Sequence, residues 1–181
     1  MALKGNKGEW SELYVLFKLL AEKKMHAGDG ELKKLDVYYP VLNVIRSELN
    51  RIMEYCINND VVLITEDGEE VVRVSTSDFM EQSKSLFSYI QRGSKENGAF
   101  EIPSINDFLK KIKCEKLKAK SMDKSDIHVV IHDYHTGMTP KLGFSIKSDA
   151  GSSPTLLNAS NATTFVYEVV GNSLDDKMMD E

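Results

Sequence analysis

Cysteine is scarce in this chain of 181 residues: Cys56 and Cys114 stand far apart in sequence. That excludes a disulfide framework and suits reduced, intracellular thiols. Long apolar runs are missing as well. The longest, around Tyr14 to Ala21, is interrupted by Lys18, far short of the roughly 18 residues that a membrane span requires. The N-terminus carries lysines but no apolar core followed by a small-residue cleavage site, so no signal peptide is expected and the chain reads as cytoplasmic. No glycine-rich phosphate loop, Cys/His nucleophile pair, internal repeat or low-complexity tract occurs. Arginine is limited to Arg46, Arg51, Arg73 and Arg92, which leaves few side chains of the type that most often reads guanine.

The remaining composition, 41% hydrophobic and 28% charged, is that of one soluble globular domain spanning residues 1–181. A formal charge of −5 argues against a protein that coats nucleic acid nonspecifically. It leaves room for a local basic patch. Lys110, Lys111, Lys113, Lys116, Lys118, Lys120 and Lys124 are opposed only by Glu115 and Asp123. Such a run is either a solvated helix face or a surface for phosphates, with Lys118 and Lys120 the DNA-contacting candidates.

The spacing of apolar residues predicts a helix from about Gly8 to Lys23. Its wide apolar arc holds Trp10, Leu13, Tyr14, Leu16, Phe17, Leu19 and Leu20, while Ser11, Val15, Lys18 and Glu22 form a narrow stripe that can meet water. Glu9 and Glu12 fall inside the apolar arc, where an unpaired carboxylate is costly. The positive end of the helix dipole accounts well for Glu9 and less well for Glu12, a turn further in. A carboxylate held on a semi-buried face is a ligand type that metal sites use. Strands are predicted at Tyr38 to Arg46, Val61 to Thr65 and Val71 to Ser75, the last two joined by a hairpin turn containing Asp67-Gly68. Ser77 is expected to cap a helix running to about Gln91. Ser104-Ile105-Asn106-Asp107 is expected to open another that continues through the lysine cluster. This order predicts an α+β (mixed α/β) fold with a central mixed sheet flanked by helices.

The segment from Asp126 to Ser148 is the most informative. Asp126 to Asp133 reads as a strand with Ile127, Val129 and Ile131 on one face and Asp126, His128, Val130 and His132 on the other. After a turn holding Gly137 and Pro140, Leu142, Phe144 and Ile146 alternate inward with Gly143, Ser145 and Lys147 outward. Paired as a hairpin, the strands are expected to set Asp126 directly beside Lys147. Such a pair suits metal-assisted phosphodiester hydrolysis. The carboxylate holds Mg²⁺, the lysine orients a water or offsets charge at phosphorus, and Glu12 or Glu9 completes the shell. The pattern resembles the PD-(D/E)XK nuclease core, although an Asp and a Lys on neighbouring strands are also a common exposed pair.

Three further blocks carry a closer resemblance: Gly5-Asn6-Lys7-Gly8-Glu9-Trp10-Ser11-Glu12, Leu142 to Ser148 and Thr155 to Phe165. Together they resemble the HpaII family of type II restriction endonucleases. The resemblance implies a restriction-endonuclease-like core and Mg²⁺-dependent cleavage of double-stranded DNA at a short palindrome, CCGG being the family's best-known target. It also implies a homodimer or successive nicking, and a cognate DNA methyltransferase as genetic partner. On motif position Asp126 and Lys147 form the catalytic pair, with Glu12, or Glu9 as the alternative, the helix-borne acid. Ser145 stands where the motif usually has Asp or Glu, so an acid must come from another element. Glu12 is the candidate, and Glu168 a second. Ser173-Leu174-Asp175-Asp176 resembles a helix opening that stops early, so the chain is expected to lack a C-terminal portion.

Other signals are set lower. His128, His132 and His135 invite zinc, but strand residues four apart lie roughly 13 Å from each other, too far to share one ion. Asn158-Ala159-Ser160 and Asn161-Ala162-Thr163 match a glycosylation pattern, which a chain without a secretion signal does not use. In that polar stretch Ser153, Thr155, Asn158 and Asn161, with Ser148 before it, are candidate DNA contacts or simply turn residues. Two other functions remain open. One is a repair or junction nuclease of the same superfamily. The other is a DNA-binding module whose active site has decayed.

Overall fold

One strand is much longer than its neighbours, and the molecule is organised around it. The structure, a computed structural model, describes residues 3–31, 33–48, 50–92, 98–118 and 125–148. A short β1 (Lys4–Gly5) leads into α1 (Lys7–Glu22), β2 (Lys24–Gly28) and the fifteen-residue β3 (Lys34–Glu48). A meander of β4 (Arg51–Asn58), β5 (Val61–Glu66) and β6 (Glu69–Ser75) precedes α2 (Thr76–Arg92). Then come β7 (Phe100–Glu101), a 3₁₀ turn at Pro103–Ile105, α3 (Asn106–Lys111) and the pair β8 (Ile127–Ile131) and β9 (Lys141–Phe144). The large sheet runs β6-β5-β4-β3-β8-β9, with β2 added to β3, while β1 pairs with β7.

The α+β class is as expected, and every described pairing is antiparallel rather than mixed. Tight turns dictate this for the meander. Asp67 and Gly68 take φ of 49° and 90°, the doubly left-handed geometry of a two-residue hairpin turn, which Asp-Gly adopts at low cost. Strand β4 went unpredicted, although Met53 and Tyr55 alternate into the core with Ile52 and Glu54 facing outward.

The buried residues of the sheet share one face: Val44 lies opposite both Tyr55 and Val129, and Tyr55 opposite Ile64. Helices α1 and α2 pack against each other. Tyr14 stacks on Phe87 at 5.2 Å, and Phe17 meets Phe79 and Phe108 edge-on at 5.7 and 5.3 Å. Fully burying a side chain such as Phe17 or Phe79 stabilises by roughly 1.5–3 kcal/mol. Trp10 enters the core with its indole N–H donating to the Phe100 carbonyl at 3.1 Å, so no polar atom is stranded.

Three local expectations need correction. Ser11 and Val15 do not face water: Ser11 is buried and Val15 half-buried, because residues 146–148 and α2 close over that stripe. Lys18 and Glu22 do remain outside, paired at 2.6 Å. Helix α3 does not run through the lysine cluster. It stops at Lys111, and Lys113 adopts a left-handed φ of 57° that ends the turn. Ser75 rather than Ser77 caps α2, its hydroxyl accepting the Asp78 N–H at 3.1 Å. No described helix is long and apolar enough to cross a membrane.

Candidate active site

The β8–β9 hairpin forms with Ile127 opposite Phe144 and His128 opposite Gly143. That register is two residues short of the one that would pair Asp126 with Lys147, so Asp126 does not face Lys147 across the ladder. The two still come together by another route. The Asp126 N–H donates to the Phe144 carbonyl at 2.9 Å, and Asp126 Oδ2 accepts the Ile146 N–H at 2.8 Å. The acid is thus fixed to the residue immediately before Lys147. The close approach needs a glycine: a Cβ on Gly143 would lie 2.3 Å from Ser125 Oγ and 3.4 Å from His128 Nε2.

Beyond Phe144 the chain leaves the ladder and crosses α1. Ser148 Oγ meets Ser11 Oγ at 2.8 Å. Ile146, Lys147 and Ser148 form one wall of a cleft of about 390 Å³, opposite Tyr14 and Val15 of α1 and Gln91 of α2. Lys147 is exposed at its edge. Ser145 is exposed too, at the position where the motif usually has an acid.

The two helix acids separate in role. Glu9 closes a capping box with Asn6: Asn6 Oδ1 accepts the Glu9 N–H at 3.0 Å and Glu9 Oε2 accepts the Asn6 N–H at 2.9 Å. The dipole explanation for Glu9 therefore has a specific partner. Glu12 is half-buried with its Oε2 shielded from solvent. Among the described residues no three His, Cys, Asp or Glu side chains converge as a metal cluster, His128, His132 and His135 included. Mg²⁺ is commonly held by one or two carboxylates, with waters and phosphate oxygens filling the shell. Asp126 and Glu12 are the right kind of donors for that.

The arginines mostly serve the fold. Arg46 and Glu48, 3% and 0% exposed, pair at 3.2 Å. Arg46 also donates to the Leu117 carbonyl at 2.8 Å, and Glu48 accepts the Glu115 N–H at 2.9 Å. Burial opposes the Arg46 charge, but Cys114, Tyr55 and Glu48 around it hold the guanidinium protonated above its ordinary range. Burial pushes the Cys114 thiol up to about 12. Arg51 bridges Glu66 and Glu115 at 2.9 and 3.3 Å, and Arg73 pairs with Glu70 at 2.6 Å. Exposed Arg92 ends α2. Of the lysine cluster, Lys110 pairs with Asp107 and Lys111 with Asp78, while Lys118 is exposed. Lys120, Ser153, Thr155, Asn158, Asn161 and Glu168 lie outside the described residues. Ser11 was the residue sequence reasoning missed. Its signal, a small polar side chain on the stripe beside the apolar arc, is the same as that of a solvent-facing serine.

A profile of the HpaII restriction endonuclease family matches residues 6–181. The chain belongs to that family. Among similar curated proteins is the type II restriction enzyme HpaII of Haemophilus parainfluenzae, 47% identical over 178 residues. The match takes in 97% of this chain and 49% of that enzyme, so the chain spans about half the length of this HpaII-family relative. No solved structure matches the chain. The blocks Gly5 to Glu12 and Leu142 to Ser148, two of the three that carried the resemblance to the HpaII family, meet at the Ser11–Ser148 contact.

Proposed function

We propose that this protein is a type II restriction endonuclease, hydrolysing phosphodiester bonds of double-stranded DNA at a short palindrome with Mg²⁺ as cofactor. CCGG is the candidate target. The observation that carries the reading is the Asp126–Ile146 hydrogen bond, which fixes an acid to the residue before Lys147, itself part of the wall of a cleft bounded by α1. Membership of the HpaII family supports it.

Hydrolysis forms a bond from water oxygen to phosphorus and breaks the bond to the leaving sugar oxygen. The water gives up a proton and the leaving oxygen gains one. Asp126 and Glu12 would hold Mg²⁺, which when bound would supply charge neutralisation at the scissile phosphate. Asp126 uses Oδ2 to fix the strand end. Lys147, exposed to solvent, orients the attacking water and offsets the negative charge that grows on the phosphoryl oxygens. Glu12 stands in for the acid that Ser145 does not provide. Lys118 and Lys120, with Ser153, Thr155, Asn158 and Asn161, contact the DNA. A two-fold dimer would present two such centres to the two strands of a palindrome, and a DNA methyltransferase of matching specificity would protect the cytoplasmic host's own DNA.

Plasmid cleavage with Mg²⁺, followed by sequencing of the product ends, tests this. Ends fixed at one palindrome, and lost in Lys147→Ala, are expected. Heterogeneous ends would favour a repair or junction nuclease. DNA binding with no cleavage, in the full-length protein as well, would favour a decayed binding module.

A further inference from the structure

We infer that Ser148 is a positioning residue: its hydroxyl donates to Ser11 Oγ and locks the Lys147 end of the hairpin onto the helix that carries Glu12. This deepens the nuclease reading and rests on it.

The direction of the hydrogen bond follows from the chemistry of its neighbours. Ser11 Oγ lies 2.8 Å from the Lys7 carbonyl and 2.8 Å from Ser148 Oγ. A carbonyl can only accept, and a hydroxyl has one proton to give. Ser11 therefore donates to Lys7, and Ser148 donates to Ser11. Ser11 is 7% exposed, so water competes poorly for this bond.

The position of the bond gives it a purpose. Strand β9 ends at Phe144, and Lys147 follows where no ladder holds the main chain. Two links bracket the lysine instead: the Ile146 N–H to Asp126 on one side and the Ser148 hydroxyl to Ser11 on the other. The first ties the lysine to the metal-binding acid. The second ties it to the first turns of α1, one residue from Glu12. A catalytic ammonium on a four-carbon stem needs its backbone held to within a fraction of an ångström, and supporting hydrogen bonds of this kind do that. The same geometry argues against Ser148 as a phosphate contact. Phosphate oxygens only accept, and the Ser148 proton already belongs to Ser11.

The test compares Ser148→Ala, Ser148→Thr, Ser11→Ala and the double alanine variant in the full chain. Single-turnover cleavage of plasmid DNA in Mg²⁺ is measured beside DNA affinity in EDTA, melting temperature and amide hydrogen exchange at residues 146–148. Ser148→Ala should cleave about tenfold more slowly and need more Mg²⁺ for half its maximal rate, with affinity and melting temperature unchanged. Ser148→Thr, which keeps the hydroxyl, should recover most of the rate. The double variant should be no slower than the slower single one, as for two partners in one bond. Exchange at Ile146 and Lys147 should quicken in Ser148→Ala; unchanged exchange overturns the lock. A cleaving wild type with an equally fast Ser148→Ala overturns the positioning role alone, as does a rate loss that tracks lost DNA affinity. A wild type that never cleaves overturns the nuclease reading and the positioning role with it.

Discussion

The carboxylate of Asp126 accepts the backbone N–H of Ile146 at 2.8 Å, so acid and lysine are joined through the main chain, not through facing positions of two strands. The distinction matters for how variants of the pair should behave.

Lys147→Ala should slow cleavage by about 10²–10³-fold, the usual range for removing a group that stabilises developing charge. Lys147 is exposed, so thermal melting should not move. Asp126→Asn keeps an oxygen for the Ile146 N–H and should leave the fold intact while abolishing turnover, with calorimetry showing weakened Mg²⁺ binding. Asp126→Ala removes that acceptor as well and should melt earlier than Asp126→Asn. Equal melting temperatures would mean the link adds nothing.

The two helix acids should part in opposite ways. Asn6→Ala opens the capping box and should cost about 0.5–2 kcal/mol of stability with little change in cleavage per folded molecule. Glu9→Gln can still accept the Asn6 N–H and should resemble the wild type in both respects. Glu12→Gln should abolish cleavage with little loss of stability. An active Glu12→Gln would move the helix acid's role to Glu9 or to Glu168.

Gly143→Ala should be damaging for a reason of space. The new methyl would meet Ser125 Oγ at 2.3 Å and Ser125 Cβ at 3.1 Å, pushing on the residue before Asp126. Its melting temperature and cleavage rate should both fall. Adding Ser125→Ala removes the shorter clash and should restore part of each, which a double-variant melting series reads directly.

The Arg46–Glu48 pair should behave as structure, not as DNA contact. Glu48→Gln leaves a buried guanidinium without its counter-charge, a loss of about 3–5 kcal/mol when one partner of a buried pair is removed. DNA affinity should drop only as the folded fraction drops.

Cys114 beside that pair gives a pH signature. Burial lifts its thiol from 9.0 to about 12, so above pH 9 the unfolded chain loses a proton that the folded chain keeps. Its contribution to stability is complete below pH 9 and is lost as pH rises towards 12. Melting curves of wild type and Cys114→Ala should converge over that window.

Local chemistry made much of the fold legible. The apolar arc of α1 spans a wide sector, and Asp67-Gly68 needs the turn that it makes. The alternation of Ile127, Val129 and Ile131 is a period that only a strand uses. Asp126, Lys147 and Glu12 were candidates by residue type and position alone. What failed was whatever depended on a partner distant in the chain. Ser11 looks solvent-facing on a wheel and is buried because Ser148, more than a hundred residues later, lies over it. Arg46 looks available for a groove and is sealed in by Glu48 and the Leu117 carbonyl. The hairpin register slipped by two because alternation constrains which face a residue takes but not which neighbour it meets. That choice belongs to hydrogen-bond geometry and close packing at Gly143, which exist only once the strands have come together.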